Sequence, residues 1–482
     1  MSFGGTIVIK INIILSLICR NYLDGRAMKD RTFQSLPVLV GSENPQCQIP
    51  EVQALVSKFT LYGSLISGIL SAFTSPKLGA MSDRYGRTRM MALSTGCMLI
   101  SEALFILVAT YPEMISINLL LVGYLFDGLG GSFIAVMAIS YAFASDCTPP
   151  EKRNVVFGYY QGCLFGGMAL GPLFSGYIVK ATGSLLSIFY IALGCHLLFF
   201  LHLLLVVPES LTKERQLAAR KKVEPAGSVE DHGSGLSSQA RRALKSTNLF
   251  APLAIFWNVE PGADPAVRRN LLFIAAVDTT MFGVAMGAMT VILIYSEFMF
   301  GWGNFETNVY LSVVSTCRVL VLFIILPIAI RILRGPHRKA VHKTAGCDEI
   351  DLGIIRLAIL FDVLSYVGFS TVRTGTLFLV CGTLSAIGGM GSPTLQSALT
   401  KHVPPDRTGQ VLGAMGLLHA AARVLAPVVF NLIYAETVGK FTQTVFVCLA
   451  ATWGVAFILS LCIKPNGTYR RASSQSQIND RL

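Results

Sequence analysis

Gly79-Ala80-Met81-Ser82-Asp83-Arg84-Tyr85-Gly86-Arg87-Thr88-Arg89 is a short hydrophilic stretch between two apolar segments, 54–76 and 90–111. Each flank is long enough to cross a bilayer, which takes about 20 apolar residues. An Asp set among several Arg cannot rest in hydrocarbon, so the stretch marks an aqueous face of the membrane. Its excess of Arg places that face in the cytosol, because cytosolic loops gather Lys and Arg. The stretch therefore predicts a loop between two membrane spans.

The rest of the chain agrees with that reading. Of 482 residues, 53% are hydrophobic and only 14% are charged, with a mean hydropathy of +0.60. A soluble chain could not cover so much apolar surface, so this is an integral membrane protein. A net charge of +12 would suggest nucleic acid in a soluble protein. Here the Lys and Arg gather in loops on one side, so the charge sets orientation and no nucleic-acid partner is expected. The eleven cysteines show no zinc-type spacing with His, and most sit in apolar segments as small packing residues. Cys19 and Cys47 flank the first outward loop; they either pair in an oxidising space or stay free thiols. No nucleophile constellation, phosphate-cradling loop or redox motif is present. An enzyme, an ATP-driven pump and a bound cofactor or metal are not expected.

Apolar segments predict about twelve spans. The first, 3–18, offers only about 24 Å of helix at 1.5 Å per residue, so that span is expected to be truncated. Spans at 54–76, 90–111, 115–144, 154–179 and 185–207 complete a first half, and 271–295, 305–330, 350–371, 377–399, 409–434 and 445–463 make a second. This gives an N-terminal transmembrane bundle at 1–207, a cytosolic linker at 208–269 that is partly helical at best, a C-terminal bundle at 270–463 and a cytosolic tail at 464–482. Arg331, Arg334, Arg338, Lys339, Lys343, Lys401 and Arg407 fall on the inner side, against Lys180, Arg373 and Lys440 outside. An internal repeat relates the halves. Advancing Pro149-Pro150-Glu151-Lys152 by 255 positions reaches Pro404-Pro405-Asp406-Arg407, and at that offset Gly158 meets Gly413 and Pro172 meets Pro427. The Gly79 stretch has only a degraded counterpart near Gly335-Pro336-His337-Arg338-Lys339.

The pattern G-x-x-x-D-R-x-G-R-x-R, carried by Gly79, Asp83, Arg84, Gly86 and Arg87, resembles the signature loop between helices 2 and 3 of the major facilitator superfamily. The resemblance implies an all-α integral membrane fold of two pseudo-symmetric six-helix bundles working by alternating access. It also implies that Asp83 accepts from a helix N-terminus and pairs with Arg, a latch that stabilises one access state. In the fifth span, Gly158, Gly167, Gly171, Pro172 and Gly176 fit G-x8-G-x3-G-P-x2-G-G, with Ser175 in place of one Gly. This resembles the antiporter motif of drug:proton exchangers. Gly158, Gly162 and Gly166 make one bare stripe, and Gly167, Gly171 and Ser175 another; such stripes let helices approach closely. Pro172 frees a carbonyl and permits a bend.

Many members carry an Arg three residues before the position of Asp127; here Tyr124 stands there, and Asp127 replaces a Gln. Ionisable groups at mid-membrane are costly and need a role. Glu102, Asp127, Arg318, Asp362, His419 and Arg423 are such groups, and Asp278 lies closer to the cytosolic end. Asp127 is the candidate proton-coupling carboxylate, because a carboxylate in a low-dielectric cavity can load and release a proton. Arg318, His419 and Arg423 are candidates for attracting an anionic or carbonyl-rich substrate. Glu102 and Asp362 are expected to hold helices together, Asp362 for instance by pairing with Arg318, and His196 to pack peripherally. The expectation is a monomeric secondary transporter that moves a small organic molecule by alternating access, with protons as the coupled partner. The linker and motifs look most like fungal members that export secondary metabolites or toxicants, so proton-coupled efflux across the plasma membrane is the first reading, with vacuolar or other internal membranes as the alternative site. An importer resembling the proton-coupled folate and haem carriers, and a truncated chain without transport, are the alternatives.

Overall fold

The computed structural model describes residues 2–29, 45–221, 251–257, 265–334 and 346–465. Most of the first outward loop and of the linker, the degraded counterpart stretch at 335–345 and the tail from 466 lie outside the described residues.

Every described element is helical. The first half holds α1 (Ser2–Lys29), α2 (Pro50–Tyr85), α3 (Arg87–Thr110), α4 (Leu119–Leu129), α5 (Ser132–Cys147), α6 (Arg153–Thr182) and α7 (Leu186–Leu205). A short helix, α8 (Lys213–Lys221), follows. The second half holds α9 (Pro265–Phe300), α10 (Asn304–Leu320), α11 (Leu326–Arg334), α12 (Glu349–Thr371), α13 (Gly375–Gly388), α14 (Gly391–Lys401), α15 (Thr408–Thr437) and α16 (Thr444–Leu461). Among the described residues, 11 helical stretches are long and apolar enough to cross a membrane; α4 with α5, α10 with α11, and α13 with α14 each make one of them. The repeat is visible in the elements: α6 and α15 are each 30 residues long, and both ends stand 255 positions apart.

Several expectations are corrected. The quoted hydrophilic stretch is helical rather than a loop: α2 runs through Asp83 and Arg84, α3 resumes at Arg87, and only Gly86, at φ 107°, turns the chain. A residue with no Cβ adopts that backbone without strain. The first helix does not stop at residue 18. It continues to Lys29, about 42 Å in all, and on the extension Arg20 is met by Asp24 at 3.8 Å and Glu113 at 2.8 Å. Span 115–144 is broken at Gly131 (φ 77°) and Ser132 (φ 55°), and span 377–399 is broken between Gly388 and Gly391. Span 305–330 carries a π-turn at Val321–Ile325. Cys19 and Cys47, left open above, form a disulfide that ties α1 to the chain entering α2.

Each half has its own packing centre. In the second it is aromatic: Phe378 lies with its ring centroid 4.4 Å from Phe369, 5.3 Å from Phe300, 5.7 Å from Tyr295 and 6.0 Å from Phe446. Such clusters bury large apolar area at low rotamer cost. The halves meet where α2 lies on α15 and where α6 lies on α10 and α14.

Candidate transport site

The end of the molecule that carries the α2–α3 and α14–α15 turns is rich in Arg and is here termed the basic end. There Asp83, 4% exposed, accepts from the backbone N–H groups of Gly409 at 3.0 Å and Gln410 at 2.8 Å, in the first turn of α15. A helix N-terminus offers unpaired N–H groups and the positive end of the macrodipole, so a carboxylate is held there twice over. The fully buried Arg87 bridges Asp83 at 2.6 Å and Asp146 at 3.0 Å and donates to Ser82 Oγ at 2.7 Å. Glu209, just beyond α7, accepts from the N–H groups of Arg87 at 2.8 Å and Thr88 at 3.2 Å, capping α3. Arg220 of α8 donates to the Arg84 carbonyl at 2.9 Å and stacks on Tyr85. In these contacts Arg84 contributes its backbone rather than its guanidinium.

A second set of polar contacts joins α6 to the other half at the same end. Asp351, fully buried on α12, accepts from Lys401 Nζ at 2.5 Å, Arg334 at 3.2 Å and Asn154 Nδ2 at 3.1 Å. Arg334 also donates to the Glu151 carbonyl at 2.6 Å, and Arg153 to the Thr400 carbonyl at 3.3 Å. Sequence reasoning used Arg334 and Lys401 only to set orientation and passed over Asp351. An acid in the first turn of an apolar span, beside basic loops, was the available signal.

Small residues let backbones touch between these polar clusters. A Cβ on Gly79 would strike the Gly409 carbonyl and lie 2.7 Å from Gly413 Cα. One on Gly158 would lie 2.7 Å from Leu326, and one on Gly162 would strike Phe323, in the π-turn. Gly167, Gly171 and Ser175 are buried on α6, which also packs against α1, and Pro172 lies within the helix. Gly176 is different: a Cβ there meets nothing within 4 Å, so the last glycine of the motif makes no close approach. Gly68, whose Cβ would lie 2.7 Å from Val424, is the outermost of these glycine contacts on the α2–α15 line.

The mid-span ionisable groups do not form one cluster. Asp127 accepts from Ser67 Oγ at 2.5 Å. Arg423 donates across the halves to Ser132 Oγ at 3.2 Å and stands 5.6 Å from the Phe133 ring centre. Ser132 is the residue held at positive φ, a conformation that costs a non-Gly residue about 1–3 kcal/mol and gathers at functional sites. Arg318 donates to Ser385 Oγ at 3.3 Å and lies 4.9 Å over Phe165. Its expected ion pair with Asp362 is absent among the described residues. Asp362 instead nests against Gly388, where a Cβ would overlap its carboxylate. Glu102 meets His196 at 2.7 Å, joining α3 to α7.

Two groups were given no role by sequence reasoning. Lys10, read only as an interruption of the first span, lies 4.8 Å over the Tyr124 ring and 5.4 Å over Phe105. Asp278, placed towards the cytosolic end, is 3% exposed and accepts from Gln396 Nε2 at 2.6 Å and His419 Nε2 at 2.8 Å. An acid inside the 36-residue α9 was visible as a signal; its partner, 141 positions away, was not. Between the halves lies a cavity of about 80 Å³, lined among others by Phe133, Tyr141, Gln161, Phe282, Gln396 and His419.

Two repeated helical halves, closed together at one end over a small cavity with buried ionisable groups, define a membrane carrier. A family model described as Major Facilitator Superfamily matches residues 56–427, and the chain belongs to that superfamily. It is similar to the MFS-type transporter avaJ of Aspergillus versicolor, with 31% identity over 472 residues, 96% of this chain and 86% of that protein. It is also similar to the class C tetracycline resistance protein of Escherichia coli, 24% identical over 428 residues, 86% of this chain and 89% of that one. The crystal structure of the human organic anion transporter MFSD10 (TETRAN) superposes with a TM-score of 0.65 at 16% identity, covering 95% of this chain and 99% of that one. The protein is thus a multi-pass secondary transporter of small molecules and not an enzyme.

Proposed function

We propose that this transporter exports a small organic molecule in exchange for protons, acting as a monomer in the plasma membrane with its basic end in the cytosol. The observation that carries the reading is the antiporter-like stripe: Gly158 and Gly162 lie at the contact between the halves, against the π-turn after α10. A bare stripe at such a contact suits a surface that must separate and re-form in each cycle. A resistance protein and an organic anion transporter among the similar proteins support an organic toxicant or secondary metabolite as cargo. The Cys19–Cys47 disulfide lies at the end opposite the latch, which suits an oxidising exterior.

In this reading Gly79, Asp83, Arg84, Gly86 and Arg87 form the latch that holds the cytosolic end shut. Asp127, bonded to Ser67, is the proton-loading carboxylate, and Arg318, His419 and Arg423 face the substrate. Untargeted mass spectrometry of cells and medium, with and without the gene, tests direction. A compound that accumulates inside the deletion strain and is depleted outside supports export; a nutrient left in the medium supports import. With that compound in hand, Asp127→Asn should abolish gradient-driven movement in proteoliposomes. Retained gradient-driven transport would remove Asp127 from the coupling role.

A further inference from the structure

We propose that Lys10 on α1 and Arg423 on α15 hold the negative group of the substrate between them, and that the substrate is an organic anion with an apolar ring body. The inference rests on the reading above in which Arg423 faces the substrate; it does not depend on transport direction or on proton coupling.

Lys10 is half-buried in a membrane span, where an unshared charge is costly. Its Nζ lies 4.8 Å over the Tyr124 ring and 5.4 Å over that of Phe105. Aromatic faces offset only part of that cost. Lys10 makes no hydrogen bond and no ion pair among the described residues, although Asp127 and Glu102 lie within electrostatic reach. Both acids are engaged elsewhere: Asp127 accepts from Ser67 Oγ at 2.5 Å, and Glu102 meets His196 at 2.7 Å. The ammonium is thus held in place by rings and keeps its N–H donors for an acceptor the chain does not supply.

Arg423 makes the same offer from the other half. It is half-buried, gives one N–H to Ser132 Oγ at 3.2 Å and stands 5.6 Å from the Phe133 ring centre. Among the described residues no acid forms an ion pair with it, and it is within electrostatic reach of Lys10. Positions along the helices agree. A Cβ on Gly68 would touch Val424, the neighbour of Arg423, in the outermost glycine contact of α2 with α15. A Cβ on Gly63, further out on α2, would strike the Tyr124 ring of its own half, the ring under Lys10. The two cations therefore flank the seam just where the halves begin to part, one turn outward of His419. Like charges so placed repel; an anion between them removes the repulsion and gives both sets of donors an acceptor. Asp127, beside them, offsets one of the two positive charges, and a singly charged anion balances the other. Tyr124 and Phe133, both half-buried, offer ring faces to the body of such a ligand.

The test uses the wild-type protein in nanodiscs with 2-naphthoate and with its neutral amide, 2-naphthamide, near neutral pH, where the acid is ionised. Empty nanodiscs give the partition of each ligand into lipid. The naphthoate should bind the wild type roughly ten- to a hundredfold more tightly, the range for hydrogen bonds to a charged group. Lys10→Met and Arg423→Gln should each lower that preference by about fivefold or more, and Lys10→Arg, which returns a cation, should restore it. Binding of 2-naphthamide, expected to be unchanged, shows that each variant is folded. Equal binding of the two ligands to the wild type overturns the proposal without recourse to any variant. A preference that survives Lys10→Met but not Arg423→Gln overturns the role of Lys10 and leaves Arg423 facing the substrate. A preference that survives Arg423→Gln overturns the proposal together with the reading on which it rests.

Discussion

Asp83→Asn keeps the shape of the latch side chain and removes its charge. The carboxylate caps α15 through Gly409 and Gln410 at 3.0 and 2.8 Å and meets Arg87 at 2.6 Å. A charged cap at a partly buried helix terminus is worth up to about 2 kcal/mol. Breaking a buried ion pair costs about 3–5 kcal/mol when the partner is left alone. Arg87 is not left alone, since Asp146 stays at 3.0 Å and Ser82 Oγ at 2.7 Å, so that loss is nearer about 1 kcal/mol. An Asn oxygen still accepts one N–H, and the sum comes to about 2–3 kcal/mol, or a factor of about 30 to 150 in the closed-to-open ratio at this end. Spin labels at the exposed Leu93 and Leu461 report that ratio as a distance distribution. The background lacks the nine free cysteines and keeps the Cys19–Cys47 pair. The variant should move a large share of the distribution to longer distances in nanodiscs. A shift of less than about threefold in the ratio, or about 0.7 kcal/mol, would refute the claim that Asp83 holds this end shut.

Four other outcomes are expected. Gly413→Ala places a Cβ 3.0 Å from both Gly79 Cα and Pro76 Cα; backbone cannot yield as a side chain does, so it should cost about 1–3 kcal/mol and lower transport at unchanged expression. Gly176→Ala, with open space around it, should transport like the wild type, and equal damage from the two substitutions would show the glycine contacts to be misassigned. Glu209→Ala removes the cap on Arg87 and Thr88; it should cost about 1 kcal/mol of stability, read as a lower melting temperature. Cys47→Ser opens a link spanning 28 positions and should lower stability by about 3–4 kcal/mol in the chain-entropy account, seen as a lower melting temperature that reductant does not lower further.

Hydropathy was enough to place every span after the first, because a membrane demands long apolar segments wherever the chain crosses it. The 255-residue repeat foretold that α6 and α15 would match end for end. What hydropathy could not show is where a span is interrupted. Gly130 and Gly131 are as apolar as their neighbours, and the break there depends on a positive φ that no window average senses. Nor could it pair residues. Asp83 with the N-terminus of α15, and Asp278 with His419, are contacts across 326 and 141 positions, the first between the halves and the second between two helices of one half. Arg318 and Asp362 lie on consecutive predicted spans, which suggested a pair, yet Arg318 donates to Ser385 Oγ instead.

The glycine contacts between Gly68 and Gly413, with the carboxylate latch beyond them, have a pharmacological side. A carrier at rest with its basic end bolted leaves its binding chamber reachable only from the opposite compartment. With that end in the cytosol, a blocking compound would meet its target from the bathing medium without first crossing the membrane. Such a compound would gain potency from Asp83 and Arg87, two residues it never touches, because they keep the chamber facing it. Weakening the latch would then appear as resistance to the blocker, although Asp83 and Arg87 do not line the cavity.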